Sequence, residues 1–130
     1  IDSFDDHQKS IIFINKLPTI NADTRLIRQV FINLISNAIK YSASSPMPHI
    51  EIKSECKNGS VEFSIKDNGV GFDEKYSNRL FQLFGRLHHD IYGIGVGLVI
   101  VKKIVEKHGG KVWATAQLGK GATFNFELPN

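Results

Sequence analysis

The chain has 130 residues, which is enough for one domain with its own hydrophobic core and too few for two. Its apolar content of 42% and charged content of 22% exclude a disordered chain, and a net charge of +3 is too small to indicate nucleic-acid binding. No apolar run approaches the ~18 residues that span a bilayer, and a single cysteine, Cys56, excludes an internal disulfide and favours a reducing, cytoplasmic setting.

The first half of the chain alternates between strand and helix patterns. A short strand is predicted at residues 10–15. A helix follows at residues 23–41, where apolar side chains recur every three or four positions and Asp23 is placed to cap the first turn. After a polar loop that prolines interrupt at residues 42–48, alternating apolar residues predict a hairpin with its turn at residues 57–59.

The second half begins with a stretch rich in glycine. Residues 67–97 look irregular, with one or two helical turns at residues 78–84. A second helix is predicted at residues 96–108 and ends at a pair of glycines. A closing hairpin then pairs residues 111–116 with residues 122–128, where alternating Phe and Leu side chains bury one face of the last strand.

This order of elements predicts an α+β fold. Strand pairs that are joined by hairpins form a mostly antiparallel sheet, and the helices between those pairs pack on one of its faces as a two-layer sandwich. The irregular stretch is long for a connection inside a compact domain, and such stretches commonly bind ligands.

The first candidate site is a polar stripe on the first helix. At ~100° per residue, Asn33, Asn37, Lys40 and Tyr41 fall on one stripe that borders the apolar face. The neutral oxygen of an asparagine suits a hard cation such as Mg²⁺, which favours sites shared with phosphate. A plain polar helix edge explains the same residues equally well, so the helix alone does not decide.

The second candidate follows directly on a predicted strand, as Asp67, Asn68, Gly69, Val70 and Gly71. The glycines allow a flat ligand to approach the backbone, and the carboxylate can accept a hydrogen bond from an exocyclic amine such as that of adenine. In isolation, a simple Asp-Asn-Gly turn is the better interpretation of this segment.

The third candidate is the run Gly93, Gly95 and Gly97, which leads into the second helix. Free N–H groups at a glycine-rich helix N-terminus attract phosphate. A dinucleotide-binding fingerprint is excluded because no strand precedes the glycines, and a P-loop is excluded because no Gly-Lys-Ser/Thr occurs. A flexible hinge remains the alternative.

Taken together and in this order, these motifs resemble the catalytic ATP-binding domain of sensor histidine kinases. That superfamily also contains DNA gyrase B, heat-shock chaperone ATPases and mismatch-repair ATPases. The resemblance runs from about residue 12 to residue 129 and implies a single domain with a two-layer α/β sandwich of the Bergerat ATP-binding type. The Arg-Leu-His at residues 86–88 is similar to that of phytochrome-like members. The matching segments are residues 28–41, 67–72, 80–86, 93–98 and 119–129.

The resemblance also implies roles for individual residues. Asn37 is expected to hold Mg²⁺ at the ATP phosphates, Asp67 to accept the adenine amine, and Arg86 to reach the phosphates. The residues expected to take part in catalysis are Asn33, Asn37, Lys40 and Arg86. Those expected to contact the nucleotide are Asn37, Lys40, Tyr41, Asp67, Gly69, Gly71, Phe84, Gly93, Gly95, Gly97, Leu98 and Thr123.

Asn33 stands where ATPases of the superfamily usually carry a glutamate that activates water. An asparagine has no useful basicity, so we expect ATP to be attacked by a different nucleophile. In the kinases this nucleophile is a histidine on a separate dimerisation domain, from which a response regulator then takes the phosphoryl group. None of the five histidines lies in a phosphoacceptor context, so we expect this chain to bind ATP without phosphorylating itself.

The same resemblance sets expectations for the rest of the protein. Because the chain starts at Ile1, we expect a piece of a longer protein, with residues 1–9 as the edge of a linker and with no contact of this domain with a membrane. We expect a monomeric, cytoplasmic domain, while membrane anchoring of the full protein is left open. Two alternatives also stay open, an ATPase or serine kinase and a degenerate nucleotide-binding or interaction module. Ile94, which stands where a hydroxyl residue is usual, and a short lid at residues 87–92 are the features that keep the degenerate module open.

Overall fold

The computed structural model describes residues 11–14, 22–81 and 94–129. Five strands, two α-helices and one short 3-10 helix make up these parts of the chain. In chain order they are β1 (Ile11–Ile14), α1 (Thr24–Ser42), β2 (His49–Lys57), β3 (Ser60–Asp67), the 3-10 helix (Glu74–Arg79), α2 (Ile94–Lys107), β4 (Lys111–Gln117) and β5 (Gly121–Pro129). Among the described residues, no helix is both long and apolar enough to cross a membrane.

The strands form one sheet in the order β1-β2-β3-β5-β4. β1 runs parallel to β2, and every other pair is antiparallel, which confirms the predicted α+β fold with a mixed, mostly antiparallel sheet. Several boundaries differ from the predictions by one or two residues, and α2 begins at Ile94 rather than at residue 96. A short helix lies at Glu74–Arg79, and residues 82–84 of the predicted helical turns lie outside the described residues.

Both α-helices pack on the same face of the sheet, and the core lies between the two layers. Three phenylalanines from α1, β3 and β5 pack together there, with Phe31 partly buried against the core. The ring of Phe31 on α1 meets Phe63 and Phe126 edge-on at 5.5 and 5.3 Å, and those two rings stack at 4.9 Å. The other face of the sheet carries mostly polar side chains, as expected for an antiparallel sheet with one solvated face.

The ends of the two helices are joined at Asp23. Its carboxylate accepts hydrogen bonds from the N–H groups of Arg25 and Leu26, which confirms it as the N-cap of α1. Its own N–H donates to Nε2 of His108 at 3.2 Å, just beyond the end of α2. The other ring nitrogen of His108 lies 2.9 Å from the carbonyl oxygen of Ile104. One imidazole therefore ties the start of α1 to the end of α2.

Candidate functional site

The centre of the candidate site is Asp67, the last residue of β3, whose side chain is only 2% exposed. Its Oδ1 accepts a hydrogen bond from the N–H of Gly69 at 2.8 Å. Its Oδ2 is buried and has no hydrogen-bond partner among the described residues. A buried, unpaired acceptor is costly unless a ligand satisfies it, so this atom marks a place where a hydrogen-bond donor is expected.

The electrostatics of Asp67 follow from this burial. Desolvation raises the pKa of the carboxyl to about 6, and the backbone N–H groups of Gly69 and Ala122 partly oppose that rise. On α1, burial raises the pKa of Tyr41 to about 12, and the negative charge of Asp67 contributes to that shift. The phenol and the carboxyl therefore share one dry environment at the end of the sheet.

The loop after Asp67 is held tightly between α1 and the β4–β5 turn. The N–H of Val70 donates to the carbonyl of Tyr41 at 3.2 Å, and the N–H of Gly119 donates to the carbonyl of Val70 at 2.8 Å. A Cβ added at Gly69 would lie 2.1 Å from the Tyr41 carbonyl oxygen, which leaves no room for a side chain. Gly71 has a φ of +65° and an equally close backbone neighbour in Gln117. The glycines are thus required by this docked backbone.

Asn33 and Asn37 are four residues apart and therefore lie on the same side of α1. Asn37 is 4% exposed, and the Nδ2 atoms of both residues are buried without a hydrogen-bond partner among the described residues. A Cβ added at Gly97 would lie 3.5 Å from Oδ1 of Asn33, in ordinary contact. The fold therefore brings Asn33 of α1 close to Gly97 in the first turn of α2.

Three other predicted residues have different placements. Lys40 is exposed on α1, whereas Leu98 is fully buried in the core and offers no surface to a ligand. The register places Thr123 opposite Lys66, and it places Ala122 opposite Asp67. Because successive strand residues face opposite sides, the side chain of Thr123 lies on the open face of the sheet, away from that of Asp67. Phe84, Arg86, Gly93 and the predicted lid lie outside the described residues.

Sequence reasoning missed two residues near the site. Ala122 shares the helix-covered face with Asp67, and the alternation that buries Phe124 and Phe126 already carried this information. Asn68 had no assigned role, yet its Oδ1 accepts from the N–H of His49 and its Nδ2 donates to the carbonyl of Met47, each at 2.9 Å. It thereby fixes the loop to the start of β2, and no local pattern in the sequence indicates that contact.

The described residues offer few donors for a metal ion. Among the described residues, no three His, Cys, Asp or Glu side chains are grouped so as to hold a metal. Asn37 supplies an amide oxygen at the edge of the core, and Mg²⁺ accepts such a ligand together with waters and substrate phosphates. The described residues therefore fit a cation that arrives with a phosphorylated ligand.

Residues 22–130 match the family described as Histidine kinase-, DNA gyrase B-, and HSP90-like ATPase. Among curated proteins, the chain is similar to Cyanobacterial phytochrome A of Nostoc sp. (strain PCC 7120). The two are 46% identical over 115 residues, which is 87% of this chain and 15% of that protein. The chain spans only 13% to 16% of the length of the first four curated relatives that it matches.

Solved structures agree with this match. The catalytic domain of histidine kinase ThkA superposes with a TM-score of 0.80 at 31% identity, and the match covers 95% of this chain and 81% of that one. Full-length ShkA in complex with AMPPNP superposes with a TM-score of 0.81 at 31% identity, covering 95% of this chain and 26% of that one. The similarity thus extends over nearly the whole sheet and both helices described above.

Proposed function

Because the chain belongs to the family of histidine kinase-, DNA gyrase B- and HSP90-like ATPases, and within it to the ATP-binding catalytic domains of histidine kinases, we propose that it holds Mg-ATP for phosphoryl transfer to a histidine on another domain. The nucleotide would lie between α1, the loop at residues 67–71 and the first turn of α2. The acceptor histidine and the response regulator downstream of it are supplied by other parts of the signalling system.

The observation that carries this proposal is the buried Oδ2 of Asp67, which has no hydrogen-bond partner in the part of the chain that the structure describes. An ionised carboxylate accepts hydrogen bonds and donates none, so it pairs with the exocyclic amine of adenine. Ala122 pairs with Asp67 across the strands, and its side chain is only a methyl group, which leaves space for a flat base on the same face of the sheet. The adenine end of the site is therefore defined by one buried acceptor within a fixed backbone frame.

The phosphate end lies toward α2. Asn37 would hold Mg²⁺ through its amide oxygen, and the ion when bound would neutralise charge on the phosphates. The N–H groups of the first turn of α2, where Gly95 and Gly97 lie, are the backbone donors that a phosphate would meet. Lys40 is exposed on the same helix stripe and adds a positive charge near this end.

Asn33 supports transfer to histidine rather than hydrolysis. Its amide cannot remove a proton from water, so this position supplies no general base. In the proposed reaction, an imidazole nitrogen of the acceptor forms a bond to the γ-phosphorus, and the bond to the bridging oxygen of ADP breaks. The electron pair leaves with ADP, and the displaced imidazole proton passes to solvent. The contribution of this chain is positioning and electrostatic stabilisation.

Calorimetric titration with a non-hydrolysable ATP analogue and Mg²⁺ tests the binding site. The wild-type chain should bind, Asp67→Asn should lose detectable binding of the adenine nucleotide, and Asn37→Ala should bind with little dependence on Mg²⁺. Glu55→Gln, which removes an exposed carboxylate from the open face of the sheet, should bind like the wild type. A folded wild-type chain that binds no nucleotide would contradict the proposal and favour a degenerate interaction module.

To test phosphoryl transfer, the chain is mixed with ATP and a separate dimerisation domain that carries its phosphoacceptor histidine. Acid-labile, base-stable phosphate on that domain is the expected product, followed by its loss to a receiver domain. Rapid release of inorganic phosphate without any acceptor would instead indicate an ATPase. Light scattering on residues 1–130 should show a monomer, since we propose that this chain is one domain and that dimerisation is the task of the other.

A further inference from the structure

The two carboxylate oxygens of Asp67 have different surroundings. Oδ1 is occupied by the N–H of Gly69 at 2.8 Å, whereas Oδ2 is buried and has no partner among the described residues. Gly69 cannot move away easily, because its backbone is pressed against Tyr41. Among the described residues, Oδ2 is therefore the carboxylate oxygen left for a ligand, and its protonation decides whether Asp67 accepts or donates that hydrogen bond.

We propose that the protonation state of Asp67 sets which purine this site accepts: the ionised carboxylate takes a 6-aminopurine nucleotide, and the protonated acid takes a 6-oxopurine nucleotide such as inosine triphosphate. This inference rests on the proposed function, since it concerns the base end of the same nucleotide site. It assigns to Asp67 a proton-dependent choice of substrate in addition to a place in the pocket.

The physical reason is the matching of donors and acceptors in a dry site. The amine of adenine donates to an ionised Oδ2, but the carbonyl oxygen of a 6-oxopurine would face it with lone pairs against lone pairs. Leaving two buried acceptors opposed is costly, and sites that read a substrate through such hydrogen bonds discriminate strongly. Once Oδ2 carries a proton, it donates to the carbonyl and opposes the amine instead.

The groups that face Asp67 leave this proton available. From α1 the nearby titratable group is the Tyr41 phenol, which stays neutral because burial raises its pKa to about 12. The cross-strand neighbours are Ile50 on β2 and Ala122 on β5, and neither titrates. Asp67 also lines two cavities that contain charged groups. The cavity of about 330 Å³ is lined as well by Lys66, Glu74 and Lys120. The cavity of about 380 Å³ is lined as well by His49, Glu51, Lys66 and Lys120. Burial dominates the rise in the pKa of Asp67 to about 6, so both forms are accessible near neutral pH.

The variant Asp67→Asn tests the same matching of donors and acceptors without a change of pH. The N–H of Gly69 requires an acceptor, so it holds the amide oxygen at the position of Oδ1. The amide nitrogen then occupies the position of Oδ2 as a permanent donor. This variant should bind inosine triphosphate in preference to ATP at every pH, and it should therefore imitate the protonated wild type.

The experiment measures dissociation constants of ATP and inosine triphosphate, each with Mg²⁺, between about pH 7 and about pH 5. With a carboxyl that titrates near pH 6, the constant for ATP should rise about tenfold and that for inosine triphosphate should fall about tenfold, a shift of about a hundredfold in their ratio. Protonation of the phosphates affects both nucleotides alike, so it cancels in the ratio. Glu55→Gln, whose exposed carboxyl lies on the open face, should show the wild-type shift.

The outcomes separate this inference from the proposed function. A chain that fails to bind ATP at about pH 7 would overturn the proposed function itself. A chain that binds ATP, with a ratio that does not change with pH in the wild type, would overturn only the purine switch. An Asp67→Asn variant that still prefers ATP, or that changes its preference with pH, would overturn it as well. Circular dichroism at each pH ensures that only folded protein is compared.

Discussion

The N–H of Val70 donates a hydrogen bond to the carbonyl of Tyr41 at 3.2 Å, so the loop that follows β3 is fastened to the last turn of α1. Val70 and Tyr41 are far apart in the chain, yet this contact fixes the distance between Asp67 and the asparagine stripe of α1. This backbone hydrogen bond helps to hold the base end and the phosphate end of the proposed site in register.

Substituting alanine for Gly69 should loosen this attachment. The added Cβ would meet the Tyr41 carbonyl oxygen at 2.1 Å, so either the loop or the helix end must shift. We expect a loss of about 1–3 kcal/mol in the free energy of unfolding, measured by urea denaturation, together with weaker nucleotide binding. Gly97→Ala is the matched control, because its Cβ would be in ordinary contact at 3.5 Å and alanine favours a helix. Equal stability losses in the two variants would contradict the close approach at Gly69.

The pH dependence of stability should reveal the buried carboxyl of Asp67. Its pKa is raised from 3.8 to about 6 on folding, so the folded chain binds this proton more tightly than the unfolded chain does. The stability contributed by the group is complete below about pH 4 and is lost as pH rises through about 6. At neutral pH the ionised form therefore costs the empty domain about 2–3 kcal/mol.

Asp67→Asn should remove this cost. From about pH 4 to about pH 7, the free energy of unfolding of the variant should rise by about 2 kcal/mol relative to that of the wild type. Urea unfolding curves at each pH measure this difference. Glu55→Gln, in an exposed position, should run parallel to the wild type. If the free energies of unfolding of the wild type and of Asp67→Asn changed in parallel across this pH range, the carboxyl would not titrate as its burial requires.

Substitutions at Ala122 and Thr123, which are neighbours in β5, should differ sharply in their effect on ATP binding. Ala122 lies on the face of Asp67, so Ala122→Val should crowd the base and raise the dissociation constant for ATP about tenfold or more. Thr123→Val changes a hydroxyl for a methyl on the opposite face and should leave that constant within about twofold. Calorimetric titration of both variants decides the matter, and a larger effect from Thr123→Val would mean that the pairing register is wrong.

The imidazole of His108 should contribute to stability by joining the two helix ends. Replacing it with alanine removes the acceptor for the N–H of Asp23 and the contact with the Ile104 carbonyl. We expect a loss of about 1 kcal/mol in the free energy of unfolding, with nucleotide binding unchanged. His108→Gln, which keeps a polar side chain with both donor and acceptor, should recover part of that loss. A His108→Ala variant as stable as the wild type would show that this junction carries no net stability.

Much of the fold was readable from short-range patterns. The apolar period of α1, the capping side chain of Asp23 and the alternation in the strands are local properties, because they depend on residues within a few positions of each other. The Asn and Gly motifs indicated the class of site for the same reason. Each is a run of residue types that nucleotide binding requires close together in the chain.

Only the tertiary structure decided how these pieces meet. The place of β5 between β3 and β4, the docking of residues 67–71 on α1 and the contact between Asn33 and Gly97 join segments that are distant in the chain. Thr123 shows the limit most clearly. Its motif suggested a nucleotide contact, but the alternation that buries Phe124 turns Thr123 to the open face and leaves Ala122 beside Asp67. Residue types determine what chemistry is available, whereas burial and strand register determine which atoms share a site.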